Sequence, residues 1–453
     1  RTAIIGTKIQ SVKKEKNSME KFSNFIEKRI APFANSVARN KYMLALQNAF
    51  LSLIPFITIG SLALVIISPP ADYANCEGIV RSIMFGWAKL AEWTGPTLGF
   101  VNMVTMNAIA LYVAIGMGLN LANYYKMKPA MPMLVTAMSF LICATMNADG
   151  TLTFDHLGGT GLFTAILVSA ISFELYRVLT EKKVGRIDLP GGGVPPALLE
   201  SLGNLVPTTI VLLVFGAVSQ ILLAVAGTGF PDLLTVIMTP IVNAVDSIGG
   251  VIILAVLVMV FWWFGIHDAV ITGPMDAFLT TTYTANMTAF AAGTAAVSLP
   301  YIVTKPFWWH FMTIGGSGAT LGLAVLACMS KSKQIKTVGR LALVPSLFNI
   351  NEPLIFGLPL MYNPVMMIPF IFVMPLNGVI TYICMSTGIV SRTFAYAGWN
   401  MFCPIGAWID TMDFKAFLLI LVLIVIDVVI YFPFFKLYEK KKLEEEASVE
   451  KEA

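Results

Sequence analysis

Stretches of about twenty apolar residues recur along this chain, and they constrain its fold more than any other feature. VIILAVLVMVFWW at 251–263 and FLLILVLIVIDVVIYF at 417–432 are the plainest. A bilayer core ~30 Å thick takes about 20 apolar residues in a helix rising ~1.5 Å per residue. Runs of that kind predict spans at 42–67, 98–122, 129–146, 161–180, 201–227, 248–265, 285–304, 306–329, 362–387 and 414–434. Hydrophobic residues make up 57% of the chain and charged ones 12%, against about 25% charged in ordinary soluble domains. The strands of an outer-membrane barrel would alternate polar and apolar positions, and these runs do not. The expected fold class is an all-α polytopic membrane protein with about ten transmembrane helices.

The placement of charge predicts the topology. With a cytoplasmic N-terminus, the segments 1–41, 123–128, 177–186, 267–283, 330–340 and the tail lie inside, and they hold 25 of the 30 Lys and Arg. Only Arg81, Lys89, Lys305, Arg392 and Lys415 fall elsewhere. Cytoplasmic loops carry the excess of Lys and Arg, so both termini are expected in the cytoplasm. The loop TMNADGTLTFDHLGG at 145–159, with two Asp and no Lys or Arg, is expected outside, with His156 in solvent.

The first 40 residues are polar and basic and lack the short apolar core of a cleavable signal peptide. Met19 is a candidate natural start, and from it MEKFSNFIEKRIAPF spaces Phe22, Phe25, Ile26, Ile30 and Phe33 along one face of an interfacial amphipathic helix. EKKVGRIDLPGGGVPPALLE at 181–200, with its Gly run and three prolines, reads as a linker. The expected organisation is a cytoplasmic segment at 1–41, an N-terminal transmembrane half of five spans at 42–227, a C-terminal half at 228–434, and a solvated charged tail at 435–453.

Two stretches break the span pattern. FWWFGIHDAVITGPMDAF at 261–278 runs from apolar residues into His, Asp, Gly and Pro, and SLFNINEPLIFGLP at 346–359 does the same. Irregular backbone at membrane depth is tolerated only where it is buried in protein or lines a watery cavity, and paired interruptions point to a transport site. A third irregular piece, SRTFAYAGWNMFCPIGAWID at 391–410, is aromatic and punctuated by Gly and Pro.

Glu352 is the sharpest single residue. A carboxylate in a membrane segment is costly unless paired, hydrated or protonated, so it marks a substrate, ion or proton site by default. Asn349 and Asn351 flank it, and Pro353 frees a backbone carbonyl, an array of donors and acceptors that suits a polyhydroxyl ligand. His267 occupies the other broken segment, with Asp268 beside it to orient the ring or meet solvent. Trp399, next to Asn400, offers a flat apolar face and one donor, a combination suited to stacking on a sugar. Trp308, Trp309 and Trp408 read as interface belt residues, and Lys305 and His310 as side chains that snorkel to the interface.

The chain also lacks several chemistries. GGSGATLG at 315–322 has no P-loop lysine and reads as small-residue helix packing. Five dispersed cysteines without a CxxC pair, and three histidines, predict neither disulfides nor a metal site. No cofactor is expected, and no basic stripe outside the membrane is large enough for nucleic acid.

WWFGIH at 262–267, followed by NEPLIFGLP at 351–359, resembles the enzyme IIC component of the bacterial sugar phosphotransferase system (PTS), in its lactose/cellobiose/diacetylchitobiose family. The resemblance runs from about Met19 to the tail. It implies a permease of the bacterial cell membrane that takes a β-linked disaccharide from outside and holds it in the C-terminal half. There the C6 hydroxyl receives phosphate from a phosphocysteine of a separate enzyme IIB, itself supplied by IIA. On that pattern Glu352 and His267 hold the C6 hydroxyl, Glu352 as base or orienter. Trp262 and Trp399 are the sugar platforms, Asn351 is a hydroxyl partner, and Asp268 and Asn400 are further candidates for the binding set.

The resemblance further implies a homodimer formed by the N-terminal halves. The chain's end soon after its last span suggests the arrangement without a fused IIB domain. In such a system the chain is the membrane component of a phosphotransferase, and the phosphoryl donor is its partner. The residues alone also admit an ion- or proton-coupled sugar symporter titrating at Glu352, or a passive channel or receptor.

Overall fold

The computed structural model describes residues 40–69, 73–146, 151–185, 196–266 and 268–452. The candidate amphipathic helix after Met19, the centre of the expected linker, part of the 145–159 loop, and His267 lie outside the described residues. Among the described residues the chain is a bundle of α-helices with no strand, only an isolated bridge between Met146 and Leu152.

The bundle opens with α1 (Lys41–Ile67), where the Asn40 side chain accepts from the backbone N–H groups of Tyr42 and Met43 and so satisfies two of the orphan donors at a helix start. Next come α2 (Gly78–Met106), α3 (Ile109–Tyr124), α4 (Ala130–Thr145), α5 (Leu162–Glu181) and α6 (Pro196–Ala226). In the second half, α7 (Phe230–Val245) and α8 (Ile248–Trp263) precede α9 (Ala269–Ala291). Among the described residues, five helical stretches are long and apolar enough to cross a bilayer, and up to seven if two bent pairs each make one span. The bent pairs are α2–α3, turned by 45°, and α7–α8, turned by 77°.

Three stretches depart from the sequence reading. The helix α9 runs continuously through 269–291, where a turn was expected, and residues 292–304 beyond it hold only a short helical turn at Ala296–Ser298. The expected span 306–329 is interrupted. It begins as one π-helical turn at Phe307–Met312, passes through irregular backbone at 313–320, and resumes as α10 (Leu321–Cys328). The glycines explain the break: Gly315, Gly316 and Gly318 take φ of 78°, 101° and 86°, in the region open mainly to residues without a Cβ. This stretch is therefore a folded turn, and the reading of it as helix–helix packing is corrected.

The chain continues through α11 (Lys333–Leu347), α12 (Glu352–Gly357), α13 (Met367–Ser386), α14 (Cys403–Thr411) and α15 (Phe414–Glu452). The expected solvated tail is the last part of α15. Glu439 there accepts from the Ser330 hydroxyl and the Lys331 N–H, each at 2.7 Å, and Glu446 accepts from the Ser332 hydroxyl at 2.7 Å. Those bonds tie the helix end to the start of α11.

Buried side chains fall into two apolar cores. One gathers residues from Val251 to Tyr438. The other is built mainly from α1 to α6, and it also takes in Tyr283 and Met287 of α9 and the segment Phe394–Tyr396.

Candidate functional site

A cavity of ≈ 300 Å³ lies at the seam of the two cores, at the low end of the ~300–1,000 Å³ typical of small-ligand sites. Gln47, Phe50, Leu51 and Ile54 of α1 line one wall. Trp262, Asp268, Asn351, Glu352 and Trp399 line the other side, together with Asp276, Lys305, Trp309, Ser317 and Tyr396.

Hydrogen bonds tie the first broken segment to the chain just beyond the second. The Tyr362 N–H donates to the Trp263 carbonyl at 3.0 Å, the Tyr362 hydroxyl to the Phe264 carbonyl at 2.7 Å, and the Trp263 indole to the Asn363 carbonyl at 3.2 Å. These bonds join the end of α8 to the chain that follows α12, so Trp262 and Glu352 face the same space.

Asn349 takes φ 61° and ends the α11 turn in the left-handed region that asparagine tolerates better than most residues. Its carbonyl oxygen accepts from the Gly315 N–H at 2.9 Å, and its amide donates to the carbonyls of Trp399 at 2.8 Å and Trp309 at 3.3 Å. One side chain thus fastens the glycine turn, the Trp399 segment and the π-turn. Asn351 does similar work: its amide donates to the Ser317 carbonyl at 2.8 Å and the Thr320 hydroxyl at 2.7 Å. Both amide protons are spent on the turn, which leaves only its carbonyl oxygen for a ligand.

Glu352 opens α12 and lines the cavity. Its Oε2 is buried and accepts no hydrogen bond from any described residue. A buried carboxylate oxygen left without any donor is unfavourable by about 1–3 kcal/mol or more, so this oxygen calls for a donor beyond the contacts of the described residues. Asp268 is buried and accepts from the Ser317 hydroxyl at 2.6 Å. Trp262 is buried, and Trp309 and Trp399 are half-buried with ring centroids 6.3 Å apart. Three indoles therefore border a cavity that also carries three carboxylates, Asp268, Asp276 and Glu352.

Asn400 is exposed and does not line the cavity. Gly398, at φ 95°, turns the chain there, so that Trp399 faces in while its neighbour faces out.

Two basic residues read as snorkelling are instead buried and paired. Lys305 donates to Asp276 at 2.7 Å, with side chains 4% and 17% exposed. His310 is fully buried, its Nδ1 2.5 Å from Asp410 and its Nε2 2.9 Å from the Gly398 carbonyl. Asp410 also accepts from the Ala397 N–H, and its carbonyl accepts from Phe394 and Ala395. The pair therefore clamps the segment that carries Tyr396 and Trp399. Trp308, expected in an interface belt, is in the core at 1% exposure.

Gln47, Asp276, Lys305, Ser317 and Tyr396 were not singled out as site residues from sequence. One signal was available: Asp268, Thr272 and Asp276 recur at every fourth position, which is one face of a helix.

Residues 47–373 match the family described as Phosphotransferase system, EIIC. The chain belongs to the EIIC family of the phosphotransferase system. It is a multi-pass membrane protein of that family. It is 34% identical to permease IIC component YwbA of Bacillus subtilis (strain 168), over 95% of this chain and 98% of that one. A cellobiose-specific EIIC component of Geobacillus stearothermophilus is 31% identical, over 94% and 96%. The structure aligns with the crystal structure of ChbC, the IIC component of an N,N'-diacetylchitobiose-specific phosphotransferase system. The TM-score is 0.85 at 30% identity, covering 93% of this chain and 99% of that one.

Proposed function

We propose that this EIIC protein binds a β-linked disaccharide of the cellobiose or diacetylchitobiose type and carries it across the bacterial cytoplasmic membrane, coupled to phosphorylation of the sugar's C6 hydroxyl by phosphorylated enzyme IIB. The observation that carries the proposal is the buried Oε2 of Glu352, which has no hydrogen-bond partner among the described residues, in a cavity bordered by Trp262, Trp309 and Trp399. Indole faces suit the C–H faces of pyranose rings, and an acceptor oxygen suits a hydroxyl. The relatives named for cellobiose and diacetylchitobiose support the same class.

In the proposed step the C6 oxygen attacks the phosphorus of the IIB phosphocysteine. The P–S bond breaks, the thiolate leaves, and the hydroxyl proton passes to Glu352. General-base assistance of this kind is worth about 10²–10⁴-fold in rate. His267, which directly precedes Asp268 in the chain, is proposed as the second group on that hydroxyl. Both termini are proposed to be cytoplasmic, and the N-terminal half, 42–227, to form a homodimer. With that orientation the cavity residues of α1 lie within its first ~20 Å, the cytoplasmic part, which suits access by IIB.

The competing reading is proton-coupled symport through Glu352. Glu352→Gln separates the two. The proposal expects phosphorylation by phospho-IIB to fall at least ~100-fold while equilibrium binding of the disaccharide stays within about threefold, and uptake by the unaltered protein to survive a protonophore. Collapse of uptake with the protonophore in the presence of phospho-IIB favours symport, and near-normal turnover of the variant removes Glu352 from the chemistry.

A further inference from the structure

The Asp276–Lys305 pair lines the same cavity as Glu352 but belongs to none of the contacts that build the turns around Glu352. Among the described residues, the ammonium of Lys305 has one hydrogen-bond partner, the Asp276 Oδ2 at 2.7 Å. It otherwise faces the rings of Phe50, at 5.5 Å, and Tyr396, at 6.0 Å. An ammonium carries three donors and a carboxylate about four acceptor positions, so most of the bonding capacity of this pair is unspent. Charged groups at membrane depth are expensive and mark ligand paths. A purely structural pair would spend its remaining donors and acceptors on the surrounding backbone, as Asp410 does with the Ala397 N–H and as Asp246 does with the N–H groups of Ile302 and Val303.

The position of the pair is set by α9. Asp268, Thr272 and Asp276 lie one above another on the face of that helix that lines the cavity, and eight residues of helix rise about 12 Å. One polar end of the cavity is therefore Asp268 with Ser317, whose carbonyl accepts from Asn351, the residue before Glu352, and the other, about two turns away, is Asp276 with Lys305. Gly273 lies between them and faces α1: a Cβ there would stand 3.4 Å from the Gln47 side chain. The separation matches two linked pyranose rings better than one.

We propose that the Asp276–Lys305 pair recognises the sugar ring that is not phosphorylated, with the Asp276 carboxylate accepting from one hydroxyl and the Lys305 ammonium donating to the adjacent one. The inference rests on the disaccharide reading above, and it makes the pair the element that selects disaccharides over single sugars. Vicinal hydroxyls present one donor and one acceptor side by side, which a carboxylate–ammonium pair complements with charge-assisted bonds.

The test is a binding cycle on the purified full chain, using cellobiose and its monodeoxy analogues in the unphosphorylated ring. For the unaltered protein, deleting either of two adjacent hydroxyls should weaken binding about tenfold or more. In the double variant Asp276→Asn with Lys305→Gln, cellobiose should bind at least about tenfold more weakly, and those analogues should bind as well as cellobiose does. If the double variant does not fold, Lys305→Arg keeps the charge pair while moving its donors, and must still change the ratio between analogue and parent sugar. Analogue ratios that are the same in variant and unaltered protein overturn the inference, as does an unaltered protein indifferent to every deoxygenation in that ring. Both of those results leave the disaccharide reading standing. Failure of the unaltered protein to bind any β-linked disaccharide overturns both.

Discussion

Glu352, Lys305 and His310 illustrate what one residue in an apolar sequence does and does not disclose. The cost of ionised groups in hydrocarbon marks all three as unusual. Glu352 sits inside a polar interruption, and its neighbours made its exceptional setting readable. Lys305 and His310 stand among tryptophans, and a long or amphipathic side chain near a span end ordinarily reaches the interface. Their partners, Asp276 and Asp410, are 29 and 100 positions away, so only the folded chain reveals the pairs. Removing one member of a buried pair leaves the other charge stranded, at about 3–5 kcal/mol. His310→Ala is therefore expected to lower the unfolding midpoint by several degrees and to alter the fluorescence of the tryptophans nearby, because the Trp399 segment loses its clamp. An unchanged midpoint in a calorimetric or fluorescence melt would show that Asp410 has little need of its partner.

At the scale of elements, spans with long uninterrupted apolar runs are legible, α1 and α8 of the cavity wall among them, and those interrupted by polar residues or glycines are not. The expected runs 129–146, 161–180, 201–227 and 362–387 correspond closely to α4, α5, α6 and α13. The helix α9 was read as a turn because VITGPMDAFLTTTYT lowers its hydropathy, yet those polar residues include the ones that line the cavity. Similarly the expected span 98–122 joins the end of α2 to α3 across their 45° bend, and the first part of α2 lies outside it because Lys89, Glu92 and Pro96 interrupt the apolar run. The glycine turn at 315–320 was taken for packing because small residues serve both purposes, and composition does not report φ. Gly316→Ala tests that turn. A Cβ there would lie 2.4 Å from the Asn351 amide carbon at a φ of 101°, so the expected cost is at least about 1–3 kcal/mol, with sugar affinity falling in parallel. A variant with normal melting and normal affinity would mean that the turn adjusts without involving the site.

For the whole molecule, the cavity's position between two apolar cores is the organising fact. Its α1 wall comes from the core built mainly by the first six helices, and its opposite wall comes from the broken segments of the second half. A site divided in this way changes shape whenever the two cores shift relative to each other, which is the form alternating access takes when one body rocks against another. The compositional break at 181–200 reads as a linker between two halves, but the docking of Tyr283 and Phe394–Tyr396 into the core built mainly by α1 to α6 has no sequence signal, because contacts between distant segments leave no local pattern. The measurement that tests the account most directly uses vesicles holding the protein, with ³²P-labelled phospho-IIB on the cytoplasmic side and ¹⁴C-labelled cellobiose or diacetylchitobiose on the other. The expected product on the cytoplasmic side is sugar 6-phosphate carrying one ³²P per ¹⁴C-labelled sugar, with its yield at least ~100-fold lower in Glu352→Gln. Recovery of free, unphosphorylated sugar in the presence of active phospho-IIB would contradict it.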